Sequence, residues 1–226
     1  MAGTVNHTPL DQVDGVPAAS LAWLFPLRCI VCGGPGAHRR DLCASCHAAL
    51  PWQTRTAVPS PPPGLDAVHA VFDYRFPLDR LVPRLKFHAD FAAGRALAQC
   101  MAEYLRHAPR PDAVVTVPLH RSRLRRRGYD QALELARPLA RALDLPLRTN
   151  LLQRRKPTVA QSRLDADARQ RNLRDAFAAE QGAPLPAHVA LVDDVMTTGA
   201  TLQAAARALR AAGAHRVDAW VCARVA

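Results

Sequence analysis

Residues 189–201 read Val-Ala-Leu-Val-Asp-Asp-Val-Met-Thr-Thr-Gly-Ala-Thr, and the reading of this stretch decides the fold. The apolar run Val189 to Val192 is predicted as a buried central strand. Asp193 and Asp194 form its carboxyl-terminal tip. Thr197, Thr198, Gly199, Ala200 and Thr201 form a short loop that opens a helix. In open α/β sheets, ligands bind outside the carboxyl ends of the strands. The loop suits a phosphate: small residues let backbone N–H groups approach, Gly199 tolerates unusual dihedrals, threonine hydroxyls add donors, and the helix start adds a favourable dipole. The two acids repel such an anion. They suit its neighbour, a sugar with vicinal hydroxyls, because carboxylates accept hydrogen bonds well. Acids followed by an anion cradle therefore read as ribose plus 5′-phosphate. A plain helix-capping Asp pair accounts for one acid, but not for both acids together with the loop.

Outward from this stretch, strand signals at 68–75, 112–117 and 216–222 alternate with helical periods at 91–107, at 129–143 and from the loop to Ala212, with Gly213 as a stop. Such alternation means an α/β domain: a mostly parallel sheet with flanking helices. Pro59 to Gly64, Pro-Ser-Pro-Pro-Pro-Gly, breaks regular structure and reads as a linker. The chain is accordingly divided into a disordered N-terminus at 1–19, a small module at 20–58, the linker at 59–64 and the α/β domain at 65–226. Between Thr149 and Glu180 lies a polar stretch, with seven arginines from Arg148 to Arg174, expected to serve as a lid or binding loop.

Four of the six cysteines fall in the module as Cys29-x-x-Cys32 and Cys43-x-x-Cys46, ten residues apart, with Gly33, Gly34, Pro35 and Gly36 to make the turns. Each pair makes half of a tetrahedral thiolate site, so the pattern is expected to hold structural zinc, with a redox-active dithiol as the rival. His38 and His47 are spare ligand candidates, more simply read as surface residues. A short helical piece is expected after Cys46, through Leu50. Cys100 and Cys222 read as core residues.

Apolar residues make up 49% of the 226, which excludes global disorder, and the charge is +11. No apolar run reaches the roughly 20 residues of a membrane span, and no secretory signal is recognisable, so the cytosol is the expected compartment. All but Lys86 and Lys156 of the thirty basic residues are arginine, a bias that genome composition would also produce. Whatever its origin, the positive field favours anionic partners.

The stretch 189–201 resembles the phosphoribosyl pyrophosphate (PRPP) signature of type I phosphoribosyltransferases. The rest resembles the ComF-type competence-protein family: Tyr74 with Leu81 and Lys86; Val117-Pro118-Leu119; Arg127-Gly128-Tyr129-Asp130-Gln131; Arg155, Thr158 and Gln161; Arg171 with Asn172; Ala176-Phe177; and the four cysteines as that family's zinc module. Asp130 departs from the Asn often found there, which puts the hydrogen-bond polarity at this position in doubt. The resemblance implies a type I phosphoribosyltransferase fold and Mg²⁺-dependent transfer from PRPP to a nitrogen acceptor. In this reading Asp193 and Asp194 are catalytic, 197–201 bind the 5′-phosphate, and Pro118, Leu119 and His120 form the pyrophosphate loop. Lys86, Arg127 and Arg171 are anion contacts, the arginines at 121, 123 and 125–127 place fixed charge near the pyrophosphate, and 154–172 is a mobile catalytic loop. It implies no catalytic base. The family context also implies a role in DNA uptake, with single-stranded DNA and the competence machinery as partners, or PRPP sensing without turnover.

Overall fold

The computed structural model describes residues 27–37, 40–54, 57–156, 176–180 and 185–225. Strands β1 (Ala67–Asp73), β2 (Ala113–Thr116), β5 (His188–Met196) and β6 (Arg216–Arg224) form a parallel sheet in the order β1-β6-β5-β2. Strands β3 (Leu152–Arg154) and β4 (Phe177–Ala179) pair antiparallel as a separate small sheet. Successive residues of β5 enter opposite cores: Val189 and Leu191 one, Ala190 and Val192 the other. A strand covered on both faces needs a continuous apolar run, which is why 189–192 carries no polar alternation.

One face of the sheet is covered by helices α2 (Leu78–His88), α3 (Phe91–Leu105) and α5 (Gln131–Ala142). The other is covered by α6 (Ala200–Ala211) and the small sheet. Helix α1 (Ala44–Ala48) belongs to the cysteine module, and α4 (Arg121–Arg127) buries none of its residues. Helix α2 buries Leu78, Leu81, Val82 and Leu85, an i, i+3, i+4, i+7 stripe. Ala89 ends it in the left-handed region (φ 51°), and Asp90 starts α3 by accepting the Ala93 N–H at 2.9 Å. Arg84 Nε reaches the same carboxylate at 2.8 Å and pins the corner between the two helices.

The cysteine module packs on this frame. Cys29, Leu42 and Leu50 share a core with Phe72, Leu97 and Met101. Arg95 Nε contacts Asp41 at 3.0 Å, and Arg84 Nη1 donates to the Ile30 carbonyl at 2.7 Å. Both edges of the main sheet are covered by irregular backbone. Along β1, the Asp73 N–H donates to Pro51, the Gln53 N–H to Val71 and the Val58 N–H to Val68, each at 2.9 Å. Along β2, the Val114 N–H donates to Pro146 at 2.8 Å and the Arg148 N–H to Val114 at 2.9 Å. The Pro-rich stretch is also held, because the Gly64 carbonyl accepts Arg210 Nε at 2.9 Å.

Several expectations are corrected here. Strand β5 continues to Met196, so Asp193 and Asp194 lie inside it rather than at its tip. Helices α2 and α4 were not anticipated, and the polar stretch 149–180 contains β3 and β4. Helix α1 begins before Cys46 and ends at Ala48. The expected disordered N-terminus lies outside the described residues, as do His38, Thr158, Gln161, Arg171, Asn172 and most of the expected mobile loop.

Candidate functional site

Ala190 and Val192 face the core under α2, and Asp194 meets the same helix through Lys86. Its side chain is only 5% exposed, and Lys86 Nζ from α2 approaches Oδ1 at 2.9 Å. The Val195 N–H donates to the same oxygen at 2.6 Å. Asp194 Oδ2 is buried and has no hydrogen-bond partner among the described residues. Asp193 is part-exposed and accepts the Asp194 N–H at 2.9 Å. Burial, and next the charge of Asp194, push the Asp193 carboxyl up to about 8, and Lys86 offsets only part of this.

A cavity of about 400 Å³ gathers the site. Strand β5 contributes Asp193 and Asp194, the first turn of α6 contributes Thr201, and the connection after β2 contributes Val117, Pro118 and Leu119. Helix α2 adds Lys86 and Phe87, α4 adds Arg123, Arg126 and Arg127, and Gln131 and Arg154 complete it. Of the residues singled out in sequence, Lys86, Pro118, Leu119, Arg127, Asp193, Asp194 and Thr201 therefore meet in space, whereas Thr197, Thr198, Gly199 and Ala200 do not line the cavity. His120 does not join them: it caps α4, its Nδ1 accepting the Ser122 N–H at 3.2 Å. Thr197 and Thr198 are exposed, and Thr198 Oγ1 accepts the Ala200 N–H at 3.4 Å. Gly199 takes φ 75° at the start of α6, and a Cβ there would lie 2.6 Å from Pro62 Cγ. The glycine is thus required by its backbone and by the Pro-rich stretch, as well as by any phosphate. Phe87, 68% exposed, had no signal in the sequence beyond following Lys86. Arg127 lies over its ring at 5.4 Å and donates to Gln131 Oε1.

Asp130 joins the β2 connection to α5. Its Oδ1 accepts the N–H groups of Ala132 at 3.0 Å and Leu133 at 3.3 Å, and its Oδ2 accepts that of Leu119 at 3.0 Å. Both oxygens act as acceptors, which settles the polarity at this position in favour of a carboxylate. Burial pushes its pKa up, against these N–H groups.

The ligand atoms of Cys29, Cys32, Cys43 and Cys46 all lie within 4.8 Å of one another, and the Cys32 and Cys43 sulfurs are 3.8 Å apart. Tetrahedral Zn–S bonds of about 2.3 Å place sulfurs about 3.8 Å apart. All four are free thiols, and they fit structural zinc. Burial raises the Cys29 thiol, but the N–H groups of Cys32, Cys43 and Val31 outweigh it and bring it down to about 6. A second cavity, about 510 Å³, lies between α1 and α3 and includes His47, Trp52, Glu103 and Tyr104. Arg40 and His47 already engage Glu103, at 2.9 and 3.2 Å.

Comparison with known proteins agrees with this architecture. The double zinc ribbon domain family matches residues 20–57, and the phosphoribosyl transferase domain family matches residues 129–225. Competence protein F of Haemophilus influenzae is 39% identical over 170 residues, covering 72% of this chain and 74% of that protein. The chain belongs to the ComF family of competence proteins. Another relative, the DNA utilization protein YhgH of Escherichia coli, is 35% identical to this ComF-family chain over 205 residues, covering 87% of it and 83% of YhgH. Among solved structures, the glutamine PRPP amidotransferase of B. subtilis, complexed with ADP and GMP, aligns with a TM-score of 0.41 at 22% identity, over 58% of this chain and 26% of that one. The family matches and the four-cysteine cluster show a ComF-family chain that joins an N-terminal zinc ribbon to a phosphoribosyltransferase-type α/β domain.

Proposed function

We propose that this ComF-family chain binds PRPP in the cavity at the end of β5 and transfers its phosphoribosyl group to a nitrogen acceptor. The observation that carries the reading is Asp194: nearly buried, neutralised on one oxygen by Lys86, and presenting a second buried oxygen with no partner among the described residues. A buried carboxylate oxygen left in this state is costly unless a ligand completes it. Ribose hydroxyls donate to Asp193 and Asp194, while Gly199 and the N–H groups opening α6 receive the 5′-phosphate. The backbone at Pro118 and Leu119 meets the pyrophosphate. The carboxylate pair also fits the oxygen-rich shell that Mg²⁺ prefers, and Mg²⁺ arriving with PRPP would neutralise charge on the leaving group. Departure of pyrophosphate leaves an oxocarbenium-like centre at C1′, and the residues of the cavity act by positioning and by charge.

Calorimetry with PRPP and Mg²⁺ tests binding. Asp194→Asn is expected to weaken it by about 1.5–3 kcal/mol, the worth of hydrogen bonds to a charged group. A pyrophosphate-release screen with a panel of bases and amines tests transfer. Wild-type protein that binds no PRPP would overturn the reading, and binding without release in any reaction would leave PRPP sensing.

A second reading, a non-enzymatic competence protein that holds single-stranded DNA, is favoured by the charge of +11 and by relatives named for competence and DNA utilization. It requires affinity to fall with salt by about 0.7 log units per log unit for each phosphate neutralised. We place the protein in the cytoplasm, where four thiols stay reduced. No helix among the described residues is long and apolar enough to cross a membrane. The division into a zinc module ending at 58, a linker at 59–64 and a transferase-like domain from 65 is supported by the match of the zinc ribbon family to 20–57.

A further inference from the structure

The larger cavity, about 510 Å³, has no part in the transfer proposed above. It shares no lining residue with the cavity at β5, and it lies where the zinc ribbon meets the α/β domain. His47 and Trp52 come from the ribbon side, His69 from β1, and Glu103, Tyr104 and His107 from α3 and the turn after it. In register His69 stands level with Val192, two residues short of Asp194, and on the edge strand rather than on β5. Two ring faces give this cavity its character. The Trp52 and Tyr104 rings are 15° from parallel, with centroids 6.5 Å apart. Trp52 is fixed by its other neighbours: Phe72 packs on it at 4.7 Å, His47 packs T-shaped against it at 5.2 Å, and its Nε1 donates to the His47 carbonyl at 3.1 Å. A flat ligand extends such a ring pair without ordering it first. The polar groups narrow the choice of ligand. Glu103 Oε2 is engaged by Arg40 at 2.9 Å and by His47 at 3.2 Å, whereas Oε1 accepts no hydrogen bond among the described residues. No lysine or arginine is among the described residues that line the cavity, and Arg40 is committed to Glu103. A phosphate would gain nothing there and would meet a carboxylate. An amino group on a flat heterocycle matches a carboxylate oxygen beside ring faces.

We propose that the cavity at the seam of the ribbon and the α/β domain is a second binding site, for an uncharged nucleobase or nucleoside whose ring stacks on the Trp52–Tyr104 pair and whose exocyclic amino group donates to Glu103 Oε1. The site is separate from the one that would hold PRPP and stands whether or not PRPP binds. Because both folded parts of the chain line it, its occupant ties the ribbon to the α/β domain.

The test uses the full-length, zinc-loaded protein at about 0.15 M salt, with zinc content and thermal unfolding measured on every variant. Adenosine, cytidine, purine riboside, adenosine 5′-monophosphate and indole are titrated separately by calorimetry. Adenosine or cytidine is expected to bind with a Kd below about 1 mM. Purine riboside differs from adenosine only in lacking the amino group, and should bind about tenfold more weakly. Glu103→Gln should erase most of that difference, because the charged acceptor is lost. Tyr104→Leu should weaken adenosine about tenfold, and Tyr104→Phe, which keeps the ring, should leave it within about twofold. Asp194→Asn should also leave it within about twofold, since Asp194 lines the other cavity. No binding of either amino-bearing nucleoside would overturn the proposal. So would equal affinity for purine riboside, or indole binding as tightly as adenosine, which would make this a plain apolar cavity. Adenosine affinity lost in Asp194→Asn but kept in Tyr104→Leu would place the base beside β5 and overturn it as well. Adenosine 5′-monophosphate binding about tenfold tighter than adenosine would show a phosphate contact and overturn the choice of an uncharged ligand.

Discussion

Asp193 carries the charge balance of the site. Its carboxyl, raised to about 8 by burial and by Asp194, is largely protonated below that pH. The ionised form is the better acceptor of sugar hydroxyls. Ribose 5-phosphate affinity is therefore expected to increase as pH rises from 7 through about 8, and Asp194→Asn should move this midpoint down by removing the neighbouring charge. Calorimetry across that range checks both, and a flat profile in the wild type would refute the assignment. The sign for folding is opposite. A carboxyl whose folded value lies above its unfolded one keeps a proton that the unfolded chain releases, so Asp193 opposes folding increasingly between the ordinary carboxylate range and about 8. Asp130 is the other residue whose chemistry becomes plain only in three dimensions. Asp130→Asn keeps an acceptor for Ala132 and Leu133 but turns an NH₂ group toward the Leu119 N–H. The expected loss is about 1–2 kcal/mol in denaturant unfolding, with weaker pyrophosphate binding because Pro118 and Leu119 lose their anchor. The sequence showed only that this position departs from a family habit; the Leu119 contact joins residues eleven apart and has no local signature.

Among the elements, those with strong periodicity were readable: β1, β2, β5 and β6, the α3 and α5 helices, and the loop that opens α6. Helix α2 was missed although its apolar stripe is regular, because Pro83 lies within it and polar residues fill its other face. Helix α4 was missed because five arginines leave no apolar face for a periodic reading to detect. That helix nevertheless divides its cations between the cavity and solvent, which a run of charge in one dimension does not reveal. The end of β5 was misjudged because two acids resemble a strand terminus, whereas the parallel register with β6 continues through Met196. At the start of α6 the sequence motif was read as a phosphate cradle, a reading that took no account of the constraint Pro62 places on Gly199. Gly199→Ala places a side chain at φ 75° and 2.6 Å from Pro62 Cγ. A cost of about 1–2 kcal/mol for the left-handed backbone alone is expected. Thermal unfolding without any ligand is the check, and unchanged stability would show that the Pro-rich stretch yields freely.

At the scale of the whole molecule, the cysteine spacing disclosed the zinc ribbon, but nothing in it disclosed that Cys29, Leu42 and Leu50 complete the core beneath α2 and α3. One zinc per chain is expected by elemental analysis. Cys43→Ser should lose it. Because the ribbon and the α/β domain share buried side chains, the variant should unfold at lower temperature in one transition instead of shedding a module from an intact domain. Two separated transitions would refute this coupling. The covered edge of β1 has a further consequence. Its outer backbone is satisfied by Pro51, Gln53 and Val58, all upstream of the boundary that a truncation would use. A chain begun at residue 59 would present Ala-Val-His-Ala-Val-Phe-Asp as a bare strand edge, apolar on both sides. Unsatisfied edges of this kind pair with one another. The truncated protein should therefore stack into soluble oligomers or precipitate as its concentration rises, visible by light scattering, while the intact chain stays dispersed: the ribbon acts as an insulator against self-association.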